Sequence, residues 1–232
     1  MKTKSFLSAL QDFARLFYPS CCLGCSGALV KGEEILCTAC IISLPKTNYA
    51  WTEENPIKDK FSGRLPLKYA WAFLKFRKTG IVQHLLHQLK YNNHPEIGIR
   101  LGRLMGRSIE GNNLTHSFDE IVAMPLHSTR EMSRGYNQSR KIAEGISAQT
   151  GIPVKENVLR TFYTTTQTVK TRDERWQNVA TAFQIKDGSI VKDKRILLVD
   201  DIITTGATLE ACGQQLVANG CAELSIACVA EA

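Results

Sequence analysis

The chain has 232 residues, 44% of them hydrophobic, and a formal net charge of +7. That length holds one full domain plus a small appendage, and the composition is that of a globular protein rather than a disordered or fibrous one. No stretch reaches the roughly 18 apolar residues that a membrane-spanning helix needs.

Lys2 and Lys4 precede a short apolar stretch, but Gln11, Asp12 and Arg15 interrupt it and no small-residue cleavage site follows, which argues against a secretory signal. Phe6, Leu7, Leu10, Phe13, Ala14 and Phe17 recur at helical spacing and predict an amphipathic helix over residues 1–18, docked on the body or offered to a partner. Five of the eight cysteines follow between residues 21 and 40. Cys22-x-x-Cys25 and Cys37-x-x-Cys40 form two pairs with eleven residues between them. Zinc takes four soft ligands in a tetrahedron, and each pair supplies two from one tight knuckle. Thiols in a chain without a secretory signal are expected reduced, which favours metal over disulfides. We place a zinc module at residues 19–48. A closed four-thiolate site leaves no open position for catalysis, so this zinc is structural. Cys21 forms a competing Cys-x-x-x-Cys pair with Cys25, so the first ligand is Cys21 or Cys22.

The charge is uneven. Lys58 to Arg107 holds eleven Lys/Arg against Asp59 and Glu96, a net of +9. Phe61, Tyr69, Trp71, Phe73, Phe76 and Tyr91 lie among them. Two readings stand. Cations interleaved with aromatics suit single-stranded nucleic acid, the cations following the backbone and the rings stacking bases. Alternatively Tyr69, Trp71 and Phe73 alternate as the buried face of a strand, and the cations hold phosphates of a small ligand.

Asp119 to Met124 predicts a strand, followed by the polar loop Pro125-Leu126-His127-Ser128-Thr129-Arg130, then Arg134-Gly135-Tyr136-Asn137-Gln138 and a helix with Ile142, Ala143 and Ile146 on its apolar face. Arg130, Arg134 and loop amides suit an anion. Gly151 to Arg160 reads as extended. The polar, threonine-rich run over roughly 162–178, with Gln167, Arg172 and Arg175, is a long loop of the kind that serves as a lid.

Ile196 to Val199 predicts a short buried strand with Asp200 and Asp201 at its C-terminal end. Thr204, Thr205, Gly206, Ala207 and Thr208 then lead into an apolar-periodic helix beginning near Thr208. In an open parallel sheet, ligands bind beyond the carboxyl ends of strands, where loops meet helix N-termini. The loop amides, three threonine hydroxyls and the helix dipole converge on a phosphate. The carboxylates repel that phosphate and suit the hydroxyls of an attached sugar. A response-regulator receiver shares the Leu-Leu-Val-Asp-Asp run but sets it near the start of a domain; here 32 residues follow Asp200. Glu223 to Ala230 predicts a further strand, so the C-terminal part reads β-α-β, as a parallel sheet requires.

The acidic loop resembles the ribose-phosphate loop of type I phosphoribosyltransferases, which grip phosphoribosyl pyrophosphate (PRPP). From about residue 20 onward the landmarks are similar in order to those of the ComF family. They are the cysteine pairs, Leu89-Lys90-Tyr91, Pro125-Leu126-His127, Arg134-Gly135-Tyr136-Asn137-Gln138, Arg160, Gln167, Arg175, Asn178-Val179, Ala182-Phe183 and Val199 to Thr208. The resemblance implies an α/β type I phosphoribosyltransferase fold, a parallel twisted sheet flanked by helices. That domain would cover residues 60–232, with a hood over roughly 58–95, and the four-cysteine module would precede it. Asp200 and Asp201 would take the ribose, Thr204 to Thr208 the 5-phosphate, and Pro125, Leu126, His127, Arg130 and Arg134 the pyrophosphate with its magnesium. It further implies a cytoplasmic role in handling single-stranded DNA, in natural transformation or DNA utilisation, with proteins of the competence machinery as partners. Two functional readings follow. One is a binding protein whose loop senses PRPP or a nucleotide; the other is an active magnesium-dependent transferase acting on a base or nucleotide-derived acceptor.

Overall fold

The structure, a computed structural model, describes residues 20–51, 54–160 and 182–232. The helix expected over 1–18 and the loop expected over 162–178 lie outside the described residues. The chain divides into two compact units, Met1–Leu44 and Pro45–Ala232.

In the first unit, antiparallel bridges join Cys21 to Ala28 and Glu34 to Leu36, around a turn at Lys31 and Gly32. Helix α1, Thr38–Ile42, follows. The Glu33 carboxylate accepts from the backbone N–H groups of Val30 at 3.0 Å and Thr38 at 2.7 Å, fastening the turn to the start of α1.

The second unit begins with α2 (Pro56–Asp59), β1 (Ala70–Lys75), α3 (Ile81–Tyr91) and α4 (Pro95–Gly111). Next come β2 (Glu120–Ala123), α5 (Ser128–Arg134), α6 (Gln138–Thr150), β3 (Val154–Lys155) and β4 (Val158–Arg160). The described chain ends with β5 (Phe183–Ile185), α7 (Gly188–Val191), β6 (Arg195–Ile203), α8 (Ala207–Ala218) and β7 (Glu223–Glu231). Five strands form one sheet in the order β1-β7-β6-β2-β3, and every pairing is parallel. Strands β4 and β5 pair antiparallel in a small second sheet.

The centre of the sheet explains its sequence. A parallel strand covered on both faces reads as an unbroken apolar run, and Ile196 to Val199 and Leu224 to Ala230 are buried throughout. Strand β6 runs further than its apolar run predicts. Its pairing with β7 continues to Ile203, so both aspartates lie inside the strand rather than beyond it. The segment expected as a hood supplies β1, an edge strand of the main sheet. Its aromatics pack inward: Trp71 stacks on Trp51 with centroids 4.5 Å apart and lies 5.6 Å from Phe73, all three buried.

Helices α4 and α6 meet backbone to backbone. A Cβ on Gly102 would sit 2.1 Å from the Ile142 carbonyl oxygen, and one on Gly145 would sit 2.2 Å from that of Ile99. Neither position has room for any side chain, and this contact sets where the N-terminus of α6 meets the sheet.

Candidate functional site

Strand β6 delivers two consecutive carboxylates to the end of the sheet. The Asp200 Oδ1 accepts from the Ser139 hydroxyl at 2.8 Å and from the Asp201 backbone N–H at 2.8 Å. The Asp201 Oδ2 lies 2.5 Å from the Lys90 ammonium. Burial, reinforced by the neighbouring Asp201 charge, pushes the Asp200 carboxyl up to about 7; the Ser139 hydroxyl, the Asp201 amide and Lys90 only partly oppose this.

Beyond Ile203 the chain turns through Thr204 and Thr205, both exposed, to the buried Gly206. Gly206 has φ +79°, and a Cβ there would meet the Phe61 ring at 2.9 Å, so the position needs glycine twice over. Gly206 caps α8, whose first residues Ala207 and Thr208 are exposed. Helix α8 is held from behind. Arg64 donates to the buried Glu210 carboxylate at 2.7 Å, and Leu65 fills the space above Gly213. The loop therefore presents exposed threonines and helix-start amides on a fixed support, the arrangement that binds an oxyanion.

The loop after β2 is built as a joint. Asn137 caps α6 through its side-chain oxygen and donates its amide to the Met124 carbonyl at 3.0 Å. Gly135 ends α5 with φ +78°. The Tyr136 hydroxyl donates to the Leu89 carbonyl at 2.5 Å, and Arg134 donates to Gln138 at 2.8 Å while lying 5.4 Å over the Tyr91 ring. The Arg-Gly-Tyr-Asn-Gln element and the Leu-Lys-Tyr element thus interlock, and the interlock carries Lys90 to Asp201. Lys90, Tyr91, Asn93, Arg130, Ser133, Arg134 and Gly135 line one cleft of about 540 Å³. A second cavity of about 250 Å³ is lined by residues including Pro125, Leu126, Asn137 and Arg160. The Arg160 guanidinium is held below its ordinary value by burial first and by the Arg130 charge second.

In the N-terminal unit the Sγ atoms of Cys22, Cys25, Cys37 and Cys40 all lie within 4.8 Å of one another, a set that could hold a metal ion. Cys22 Sγ accepts the N–H groups of Gly24 at 3.3 Å and Cys37 at 3.2 Å, and Cys37 Sγ that of Cys40 at 3.4 Å. Although burial opposes it, these backbone donors bring the Cys22 thiol down to about 6, favouring the thiolate a metal needs. Cys21 is exposed and outside the cluster, in which Cys22 is the residue that gathers with Cys25, Cys37 and Cys40.

Comparison with known proteins finds similarity in sequence and in domain type. The model of the phosphoribosyl transferase domain matches residues 133–232. Competence protein F of Haemophilus influenzae is 28% identical over 228 residues, covering 90% of this chain and 96% of that protein. The DNA utilization protein YhgH of Escherichia coli is 33% identical over 152 residues, covering 62% of this chain and 65% of the relative, a little under two thirds of its length. The chain is therefore similar to a competence protein and to a DNA utilization protein, and it carries a phosphoribosyl transferase-like domain. Among solved structures, the Bacillus subtilis glutamine PRPP amidotransferase aligns over 62% of this chain and 30% of its own, at 19% identity and a TM-score of 0.43.

The structure brings some expected site residues together and separates others. Asp200 and Asp201 adjoin the Thr204–Thr208 loop, and Arg130 and Arg134 share the Lys90 cleft. Pro125 and Leu126 line the other cavity, and His127 caps α5, accepting from the Thr129 N–H at 3.3 Å. Gln167, Arg172 and Arg175 lie outside the described residues. The contacts of Ser139 and Lys90 with the acids, and the Phe61–Arg64–Leu65 support, were not foreseen. One signal existed for the last: Glu210 sits on an apolar helix one turn after Gly206, and a buried carboxylate needs a cation. The basic block changes most. Phe61, Trp71 and Phe73 are buried, leaving Tyr91 as its exposed aromatic among the described residues. Four of its eleven cations pair with acids: Lys58 with Glu54, Arg64 with Glu210, Lys68 with Glu223 and Lys90 with Asp201.

The acid pair sets a pH dependence. Asp200 titrates near 7 when folded, against an ordinary 3.8, so the folded state keeps a proton that the unfolded state has lost. Stability therefore falls as pH rises through that window. Asp200→Asn removes this loss. In ligand-free, chelator-treated protein its melting temperature should exceed the parent's by more at pH 8 than at pH 5; an equal or smaller gain at pH 8 contradicts the assignment.

Proposed function

We propose that this protein binds PRPP, or another ligand carrying ribose 5-phosphate, at the end of β6, and works in the cytoplasm in the uptake or processing of single-stranded DNA. The observation that carries the first part is the carboxylate pair followed directly by a threonine-glycine loop and a helix start. Asp200 and Asp201 take the ribose hydroxyls, Thr204, Thr205, Gly206, Ala207 and Thr208 the 5-phosphate, and Arg130 and Arg134 the pyrophosphate. Magnesium fits this donor set, because it favours one or two carboxylates together with substrate phosphates and water. Asp200 and Asp201 would help to hold it, and it would supply charge neutralisation to the ligand's phosphates. Zinc fits the four cysteines, whose thiolates meet its preference for a closed, soft tetrahedron.

The DNA role is supported by the relatives' names and by the cations that remain exposed. Arg77 and Lys78 sit on the turn after β1, and Arg103 and Arg107 lie one turn apart on the outer face of α4. With three of the block's six aromatics buried and Tyr69 and Phe76 half-buried, the contact is chiefly with phosphates, and proteins of the competence machinery are the expected partners.

Calorimetric titration of magnesium–PRPP should show one saturable site per chain, lost in Asp200→Asn/Asp201→Asn with the fold intact; no heat and no thermal stabilisation refutes the phosphosugar reading. Elemental analysis should return one zinc per chain, absent after Cys37→Ser/Cys40→Ser, and a native metal-free protein refutes the cysteine assignment. Affinity for an oligothymidine should fall steeply with salt, and Arg103→Ala/Arg107→Ala should flatten that slope by about 2. Failure to bind even at low salt removes DNA from the proposal.

A further inference from the structure

Lys90 stands between two sites. Its ammonium lies 2.5 Å from the Asp201 Oδ2, and the same side chain lines the cleft that holds Arg130 and Arg134. It occupies the penultimate position of α3, and Leu89 and Tyr91 on either side of it are fixed by Tyr136 and Arg134. The backbone is thus held while the four-carbon stem can reorient. A sugar hydroxyl or a magnesium ion needs the carboxylate oxygen that Lys90 covers, and a magnesium ion also repels the ammonium. Any ligand that takes Asp201 therefore releases Lys90, which then needs a new anionic partner. The cleft is where it finds one, since Arg130 and Arg134 line it and draw an anionic group of the ligand there.

We propose, resting on the phosphosugar reading above, that Lys90 is a specificity residue: it exchanges Asp201 for a second phosphate group at the far end of the sugar. The site thereby takes a ribose phosphate bearing pyrophosphate in preference to ribose 5-phosphate alone. Ribose 5-phosphate displaces Lys90 and offers it nothing, leaving a partly buried ammonium without a partner, whereas PRPP displaces it and supplies the replacement. Lys90 acts here on binding; no bond is made or broken by it.

The test is calorimetric titration of PRPP and of ribose 5-phosphate, each with magnesium, into the full chain and its Lys90→Met and Lys90→Arg variants. The parent should prefer PRPP. Lys90→Met should reduce the ratio of the two affinities by about tenfold or more, the size expected when a charge-assisted contact is lost. The drop should come through weaker PRPP binding, with ribose 5-phosphate bound as well as before or more tightly. Lys90→Arg should keep most of the preference. A variant that weakens both ligands in parallel, or leaves the ratio unchanged, overturns the proposal while the phosphosugar reading stands. A parent that binds neither ligand overturns both.

Discussion

Two adjacent carboxylates at the end of a buried parallel strand are an electrostatic problem, and much of the second unit is arranged around it. Taking either charge out of water is costly, and putting them side by side adds repulsion. Ser139, the Asp201 amide and Lys90 answer that cost from three directions. Each requires an element to arrive at a particular place. Ser139 is brought by α6, which the glycine contact with α4 allows to sit close, and Lys90 is brought by α3, whose end is fastened through the Tyr136–Leu89 hydrogen bond. The compensation is incomplete, since Asp200 still titrates near 7. Residual cost of this kind at a strand end is what the phosphosugar reading proposed above draws on, since perturbed carboxyls cluster at functional sites.

The loop that follows obeys a different rule. Its back is packed by Phe61, Leu65 and the Arg64–Glu210 pair, and its front is left to solvent. A site for an oxyanion works when its donors are already oriented before the ligand arrives, because the reorganisation is then done once, in folding. Residues near 61–65 are therefore part of the loop's support although they lie about 140 positions earlier in the chain.

How far the sequence is legible follows from the range of each interaction. The buried strands, the capped helix α6, the acidic pair and the cysteine pairs all announce themselves within a few residues, because apolar runs, caps and knuckles are local. The end of β6 was misjudged because polar residues halt an apolar run without halting backbone pairing, which β7 maintains to Ile203. Composition around Trp71 and Phe73 left both core and surface open, with the strand alternation pointing to core; the partner that decides it, Trp51, declares nothing by spacing. Lys90 was visible as part of a motif and invisible as a partner of Asp201, since no local pattern links a helix end to a strand more than a hundred residues later.

The strand order has a consequence for how the chain reaches this state. Strand β1 is hydrogen-bonded into the sheet through β7, the strand that comes last among the described elements. While the polypeptide is still emerging from the ribosome, Ala70 to Lys75 has its neighbour missing, and Trp71 and Phe73 lack the finished layer that later covers them. A half-made chain is thus a sticky one, exposed to mispairing until its final segment arrives. That exposure is written into the topology rather than into the stability of the finished fold.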